Sequence, residues 1–184
     1  MHRWLFATLT SFTTAAVVWA QPADVPHAKV EVLADTAIVA PGKPFTVALH
    51  FKIDEGWHLY HKDPGDSGEP PKVKWKLPEG FTASELRFPP AEKETTPAGV
   101  NNVYFHDVAL LATITPPATL SANQTVTLEG NVRWLVCDKE TCIPDKSPVK
   151  LSIPSGTDST PANEASFKKW KALVESAPTT APSH

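Results

Sequence analysis

The sequence predicts an all-β protein, an immunoglobulin-like antiparallel β-sandwich followed by one short C-terminal helix. Three observations predict it. Nineteen prolines against eight glycines fall mostly between apolar runs, where they end strands. Eight short runs of strand composition recur along the chain, separated by turn chemistry such as "APGKP", "DPGDSGEPP" and "TPPATLSAN". One segment near the C-terminus places its apolar residues at helical spacing. Strands at this spacing suit a two-sheet sandwich; a barrel is the other architecture they admit.

The chain opens with Met1-His2-Arg3, a short positive start, and residues 4–19 carry no charge. Val18-Trp19-Ala20 fits the small-x-small rule for a cut before Gln21. Residues 1–20 are therefore expected to be a cleaved secretory signal. The alternative is an uncleaved anchor, but the apolar run is interrupted by threonines and is shorter than the ~20 residues a span needs. No later segment is apolar enough to cross a bilayer, so the mature protein is expected to be exported, into a compartment where disulfides persist. The formal charge is −3, with acids and bases interspersed. Nothing in this pattern suggests nucleic acid or anionic lipid, and no lipid anchor is expected.

The strands are expected at 29–35, 45–51, 56–62, 73–77, 83–88, 108–115, 125–137 and 147–153, forming one domain over 21–155. Residues 156–184 are expected to supply a linker, the helix and a tail. Phe167, Trp170 and Val174 lie at helical spacing within 161–175, with Thr160 as cap and Pro161 at the first helical position. The apolar stripe of this helix would dock on the sandwich or bind a partner. "APTTAPSH" at the end is expected to be disordered.

The chemistry is expected in "RWLVCDKETCIPD", which holds the only two cysteines, Cys137 and Cys142. Along 125–137 the even positions carry the apolar residues, so odd Cys137 falls on the polar face. On the returning strand Val149, Leu151 and Ile153 are odd, so even Cys142 also falls outside, provided no bulge at Pro144 or Pro148 breaks the register. The four residues between the cysteines suit a hairpin loop. Opposed residues there have Cα atoms roughly 4.5–5.5 Å apart, close enough for a disulfide. As a staple such a bond constrains the unfolded chain by about 2 kcal/mol. The residues alone admit a working redox pair or a structural staple, with metal binding a distant third.

A resemblance sharpens the choice. "WLVCDKETCIP", "EGWHLYHKDPGDSGEPPKVKWKLPEGF" and "VYFHDVALLATITPP" together resemble the N-terminal periplasmic domain of the DsbD family of transmembrane thiol:disulfide reductases, over about Lys29 to Ile153. The resemblance implies an immunoglobulin-like fold, a periplasmic location and electron exchange through Cys137 and Cys142, without a cofactor. It implies thioredoxin-like partners that correct disulfides or serve cytochrome maturation, and Cys142 as the cysteine that joins to them. Full-length family members continue into transmembrane helices and a second redox domain. This chain would need its reductant from a separate transmembrane donor, or else be a binding module with a structural disulfide. Family members also shield the pair with a cap loop that often bears an aromatic residue. The matching segment, 89–102, has none, which leaves Phe88 or Tyr104 to supply the shield.

Strand alternation puts His58 and Tyr60 on one face and Trp57 and Leu59 on the other. The resemblance sets His58 and Tyr60 beside the sulfurs; the plainer alternative makes them surface residues of an amphipathic strand. His58 and His61 are an odd number apart and point to opposite faces, which spoils chelation by that pair, and no metal is expected. "GDSG" at 65–68 mimics a serine-protease loop, but a serine in a proline-bounded turn lacks an oxyanion hole and an ordered base. A tight turn is expected there. Mass spectrometry of the exported protein should find an N-terminus within a residue or two of Gln21. Retention of Met1 would contradict the leader.

Overall fold

The computed structural model describes residues 26–97 and 99–177. The expected leader, and the tail from residue 178, lie outside the described residues. The core of the fold is an antiparallel immunoglobulin-like β-sandwich. One sheet runs in the order β1 (Ala28–Ala34), β3 (Phe45–Ile53), β9 (Asp107–Thr115), β6 (Thr82–Ala83). The facing sheet runs β11 (Cys142–Pro154), β10 (Thr125–Cys137), β5 (Lys72–Lys76).

Period-2 alternation builds the space between the sheets. Strand β3 sends Val47, Leu49 and Phe51 inward, β9 sends Val108, Leu110 and Ile114, and β10 sends Val126, Leu128, Val132, Trp134 and Val136; all are buried. Phe51 meets Trp134 edge-on, with ring centroids 5.3 Å apart. Gly130 interrupts the apolar series on β10 because the Trp75 ring lies against it from β5, leaving little room for a side chain.

The other face of β3 and β9 is apolar too, with Ala48, Ala109 and Leu111 buried. A helix covers them. In α1 (Glu164–Glu175), Phe167 and Trp170 pack on these residues with Val174 beside them, so the stripe docks on the sandwich. Lys171 holds the helix to Asp35 at 2.7 Å.

Three features differ from the sequence reading. The helix begins at Glu164 rather than 161. Thr160–Pro161 instead form a two-residue strand, β12, paired with β2 (Thr36–Ile38), and the chain turns at Asn163 in the left-handed region with φ of 53°. Asn163 is the cap residue, but its side-chain amide donates to the Ala34 carbonyl rather than to the helix. Next, the run expected at 83–88 shrinks to β6 and one bridge, Arg87 to Leu111, before Pro89 and Pro90 end it. Finally, the segment at 89–102, expected as a loop, is largely a hairpin of β7 (Glu92–Thr96) and β8 (Gly99–Tyr104). With β4 (Leu59–Gly65) it makes a third sheet, in the order β4-β8-β7.

Trp170→Ala should leave the sandwich folded but lower its stability by about 3 kcal/mol, since it empties the contact between helix and sheet. Equilibrium denaturation checks this. An unchanged midpoint would show that the helix contributes nothing to the domain.

Candidate functional site

Strands β10 and β11 pair over thirteen positions without a shift, from Thr125↔Pro154 to Cys137↔Cys142, so neither Pro144 nor Pro148 carries a bulge. The loop between them, Asp138 to Thr141, is held from inside. The Asp138 carboxylate accepts the amides of Glu140 at 2.8 Å and Thr141 at 2.6 Å, and these two bonds hold its carboxyl below the usual range. Cys137 and Cys142 are joined as a disulfide, with Cα atoms 4.1 Å apart.

The backbone explains the closeness. Cys137 turns its amide and carbonyl away from β11 toward His58, donating to the His58 carbonyl at 3.1 Å and accepting the His58 amide at 2.8 Å. Cys137 and Cys142 therefore face each other as a non-hydrogen-bonded pair, the kind in which side chains approach most closely.

The two sulfurs differ in access. Cys142 is exposed, as the alternation along β11 requires. Cys137 is only 1% exposed, which corrects the expectation that it lies outside. The alternation itself holds, because Cys137 does face away from the sandwich core. What the sequence reading lacked is the third sheet, which covers that face. Tyr60, Val103, Phe105 and Leu135 pack with Cys137 in a small apolar cluster of their own.

Pairing within the third sheet shows which side chains share its covering face. Tyr60 lies opposite Val103, and Glu94 lies opposite Asn101. His58 precedes Tyr60 by two residues and so joins them. His58 and Tyr60 are both buried, which removes the surface alternative, and their rings meet edge-on at 5.1 Å. The Tyr60 hydroxyl donates to Cys137 Sγ at 3.3 Å. Burial, and then the Glu94 charge, push the Tyr60 phenol above its ordinary value of 10.0, while a hydrogen bond with Ser67 acts the other way; the group stays a donor. His58 Nδ1 stands 3.3 Å from Glu94 Oε2, close enough for an ion pair. Burial nonetheless holds the imidazole below its ordinary 6.5, against the opposing pull of Glu94 and Asp138.

The "GDSG" turn seats this tyrosine. Gly68 takes φ of 96° and lies flat on the Tyr60 ring, where a Cβ would collide with it. Ser67 donates from its amide and hydroxyl to the Asn101 side-chain carbonyl, at 3.0 and 3.1 Å. The serine is thus a structural donor in a turn.

Phe88 and Tyr104, the aromatics expected to shield the pair, are placed elsewhere. Both pack in the main core, where the Tyr104 hydroxyl donates to the Pro89 carbonyl at 2.6 Å and burial drives its phenol far upward. The aromatic that does pack on Cys137, besides Tyr60, is Phe105. Alternation could have found it: Tyr104 and Phe105 are neighbours and so face opposite ways. Glu94 carried no comparable signal, because "EKETT" has no apolar alternation to mark a strand.

The free edge of β11 has its own chemistry. Residues in odd positions bond to β10, so the even ones direct N–H and C=O outward; at the far end the Pro154 carbonyl accordingly accepts Val39 N–H at 2.9 Å. Pro144 and Pro148 have no N–H to offer, and the Lys146 amide is taken by the Asp145 carboxylate at 2.7 Å. Between Cys142 and Pro148, only Cys142 itself presents an edge N–H that no side chain occupies. This is how a sheet edge is closed to strand addition.

Fold and site define an immunoglobulin-like domain with a hairpin disulfide, one sulfur buried under a cap sheet and the other open. The family described as "Thiol:disulfide interchange protein DsbD, N-terminal" matches residues 29–154, and the chain belongs to that family. Among solved structures, the chain is similar to the N-terminal periplasmic domain of ScsB from Proteus mirabilis, at 17% identity and a TM-score of 0.59 over 89% of this chain. That likeness shows the fold; the match spans 59% of the ScsB domain. The reduced N-terminal domain of Neisseria meningitidis DsbD aligns at 18% identity and a TM-score of 0.40, over 72% of this chain and 90% of that one. None of the curated proteins matches the sequence.

His58 gives a pH test. Because its folded pKa lies below 6.5, the unfolded chain takes up the proton first as pH falls. Its contribution to stability is therefore complete above pH 6.5 and is lost below it, until the folded ring also protonates. His58→Gln should show a shallower loss of stability than wild type between about pH 7.5 and pH 5 in denaturant titrations. Parallel curves would contradict the assignment.

Proposed function

We propose that this protein is an exported thiol:disulfide exchange protein of the periplasm, passing electrons between thioredoxin-like partners through Cys137 and Cys142. One observation carries the proposal: the two sulfurs of a single disulfide differ in access, Cys142 exposed and Cys137 buried beneath Tyr60. Membership of the DsbD N-terminal family supports the same chemistry. The leader-like residues 1–20 and the periplasmic origin of the ScsB relative support the location. A separate transmembrane protein would supply the electrons.

Attack on a disulfide runs along the S–S axis, so access chooses the sulfur. A partner thiolate attacks Cys142 Sγ and forms a mixed disulfide. The Cys137–Cys142 bond breaks, and Cys137 leaves with the electron pair as a thiolate. The Tyr60 hydroxyl, already 3.3 Å from that sulfur, donates to the developing charge. The partner's second thiolate then attacks its own sulfur in the mixed disulfide and releases Cys142. The partner departs oxidised, and two electrons rest on this protein. Run backward, the same steps reduce a second partner. Cys142 is thus the exchanging sulfur and Cys137 the resolving one.

Cys137→Ser should trap a thioredoxin-like partner that lacks its own resolving cysteine as a covalent complex through Cys142, visible on a non-reducing gel. Cys142→Ser should trap little, because its remaining sulfur is buried. Trapping only by Cys142→Ser would reverse the roles, and no trapping by either variant would remove the support for exchange.

A further inference from the structure

The outer face of the β11-β10-β5 sheet carries two contrasting rows of charge. In one, Glu129 stands between Lys76 and Lys150 and meets both, at 3.1 and 3.5 Å. This is the ordinary arrangement of opposite charges across strands. In the other, Arg133 stands between Lys72 and Lys146, so that three cations lie side by side. Like charges in opposed positions destabilise a sheet. Lys72 is held by Glu69 at 2.6 Å. Arg133 and Lys146 are exposed, and among the described residues no carboxylate lies within ion-pair distance of either. The Glu69 charge is felt by Arg133 from further off, which leaves one carboxylate facing three cations. Lys74, opposite Asn131 in the row between, adds another exposed cation. The whole chain carries −3, so this is a local reversal of charge made by strand pairing.

The row lies on the same face as the disulfide. Lys146 is four residues along β11 from Cys142, and Arg133 four along β10 from Cys137, or about 13 Å at strand rise. The adjoining edge is closed to strand addition by Pro144, Pro148 and the Asp145–Lys146 contact. Strand pairing along that edge is thus closed to a partner of Cys142, which leaves the charged face beside it as the surface to dock on. We infer that the Lys72–Arg133–Lys146 row docks an acidic patch of the redox partner, set about 13 Å from the partner's reacting cysteine. This rests on the exchange function proposed above, and it adds the chemistry by which partners are chosen.

The test uses the full mature protein in its oxidised form and two reductants: a thioredoxin with carboxylates around its active site, and the same thioredoxin with those carboxylates changed to lysine. Dithiothreitol, a small dithiol with no docking surface, serves as the control. The acidic thioredoxin should reduce wild type about tenfold faster than the basic one at low salt. In about 0.5 M salt the advantage should largely vanish. The double variant R133E/K146E should lose or invert the preference while its rate with dithiothreitol stays unchanged. If both thioredoxins reduce wild type and R133E/K146E leaves the preference and its salt dependence intact, exchange stands and the docking row is overturned. Where dithiothreitol works but neither thioredoxin does, the exchange function fails and the docking falls with it. Binding to phosphatidylglycerol vesicles that R133E/K146E abolishes, with thioredoxin rates unmoved, would give the row to a membrane and likewise overturn the proposal.

Discussion

The unbroken register of β10 against β11 sets the disulfide, the closed edge and the row of cations together. One shifted residue would move every side chain of a strand to the other face. As it stands, thirteen pairs run without a slip, and the consequences can be read off in order. Apolar residues fill the core, Cys137 meets Cys142 at the tip, and Pro144 and Pro148 fall at edge positions where their missing amides matter. The same register sets Arg133 between Lys72 and Lys146. Disulfide, blocked edge and cationic row are thus products of a single alignment.

A second relation turns this hairpin from symmetric to asymmetric. Cys137 and Cys142 occupy equivalent places on paired strands, and without a further element both sulfurs would be open. The difference arises because β10 is an inner strand and β11 an edge strand. The unpaired backbone of Cys137 is taken up by His58, which brings β4, and with it the hairpin of β7 and β8, over one sulfur only. The electrostatic result is a buried His58 and Tyr60 on that side, with the half-buried Glu94 carboxylate against the imidazole. A polar cluster is formed next to an atom whose charge changes with its oxidation state, while the other atom stays in water.

Much of this was legible in the residues. The apolar alternation of β10 located its thirteen residues, the four-residue loop fixed the opposition of the cysteines, and parity placed Cys142 outside. The same parity grouped His58 with Tyr60. What escaped had weak or misleading local signals. "EKETT" is polar throughout because β7 is an edge strand that half faces water, so the cap sheet was invisible and the depth of Cys137 with it. Phe105 was passed over for Tyr104, although adjacent strand residues must face apart. Thr160 and Pro161 imitate a helix start, yet tertiary pairing with β2 claims them. The cationic row is absent from the sequence as a cluster, since its three members lie far apart and only the sheet brings them together.

The ladder that carries the cysteines does not depend on their bond. Twelve further pairs hold the strands together, so Cys137 and Cys142 remain opposite each other, Cα atoms 4.1 Å apart in the closed form, whether or not the sulfurs are joined. Any molecule that becomes attached through Cys142 therefore finds a second sulfur already waiting at the site of attachment. Such fixed proximity acts as a very high local concentration of reagent. It sets a clock on the attachment: recapture of Cys142 by Cys137 needs no encounter in solution, so a covalent complex lasts only as long as this attack, and any from a second thiol of the attached molecule, allow.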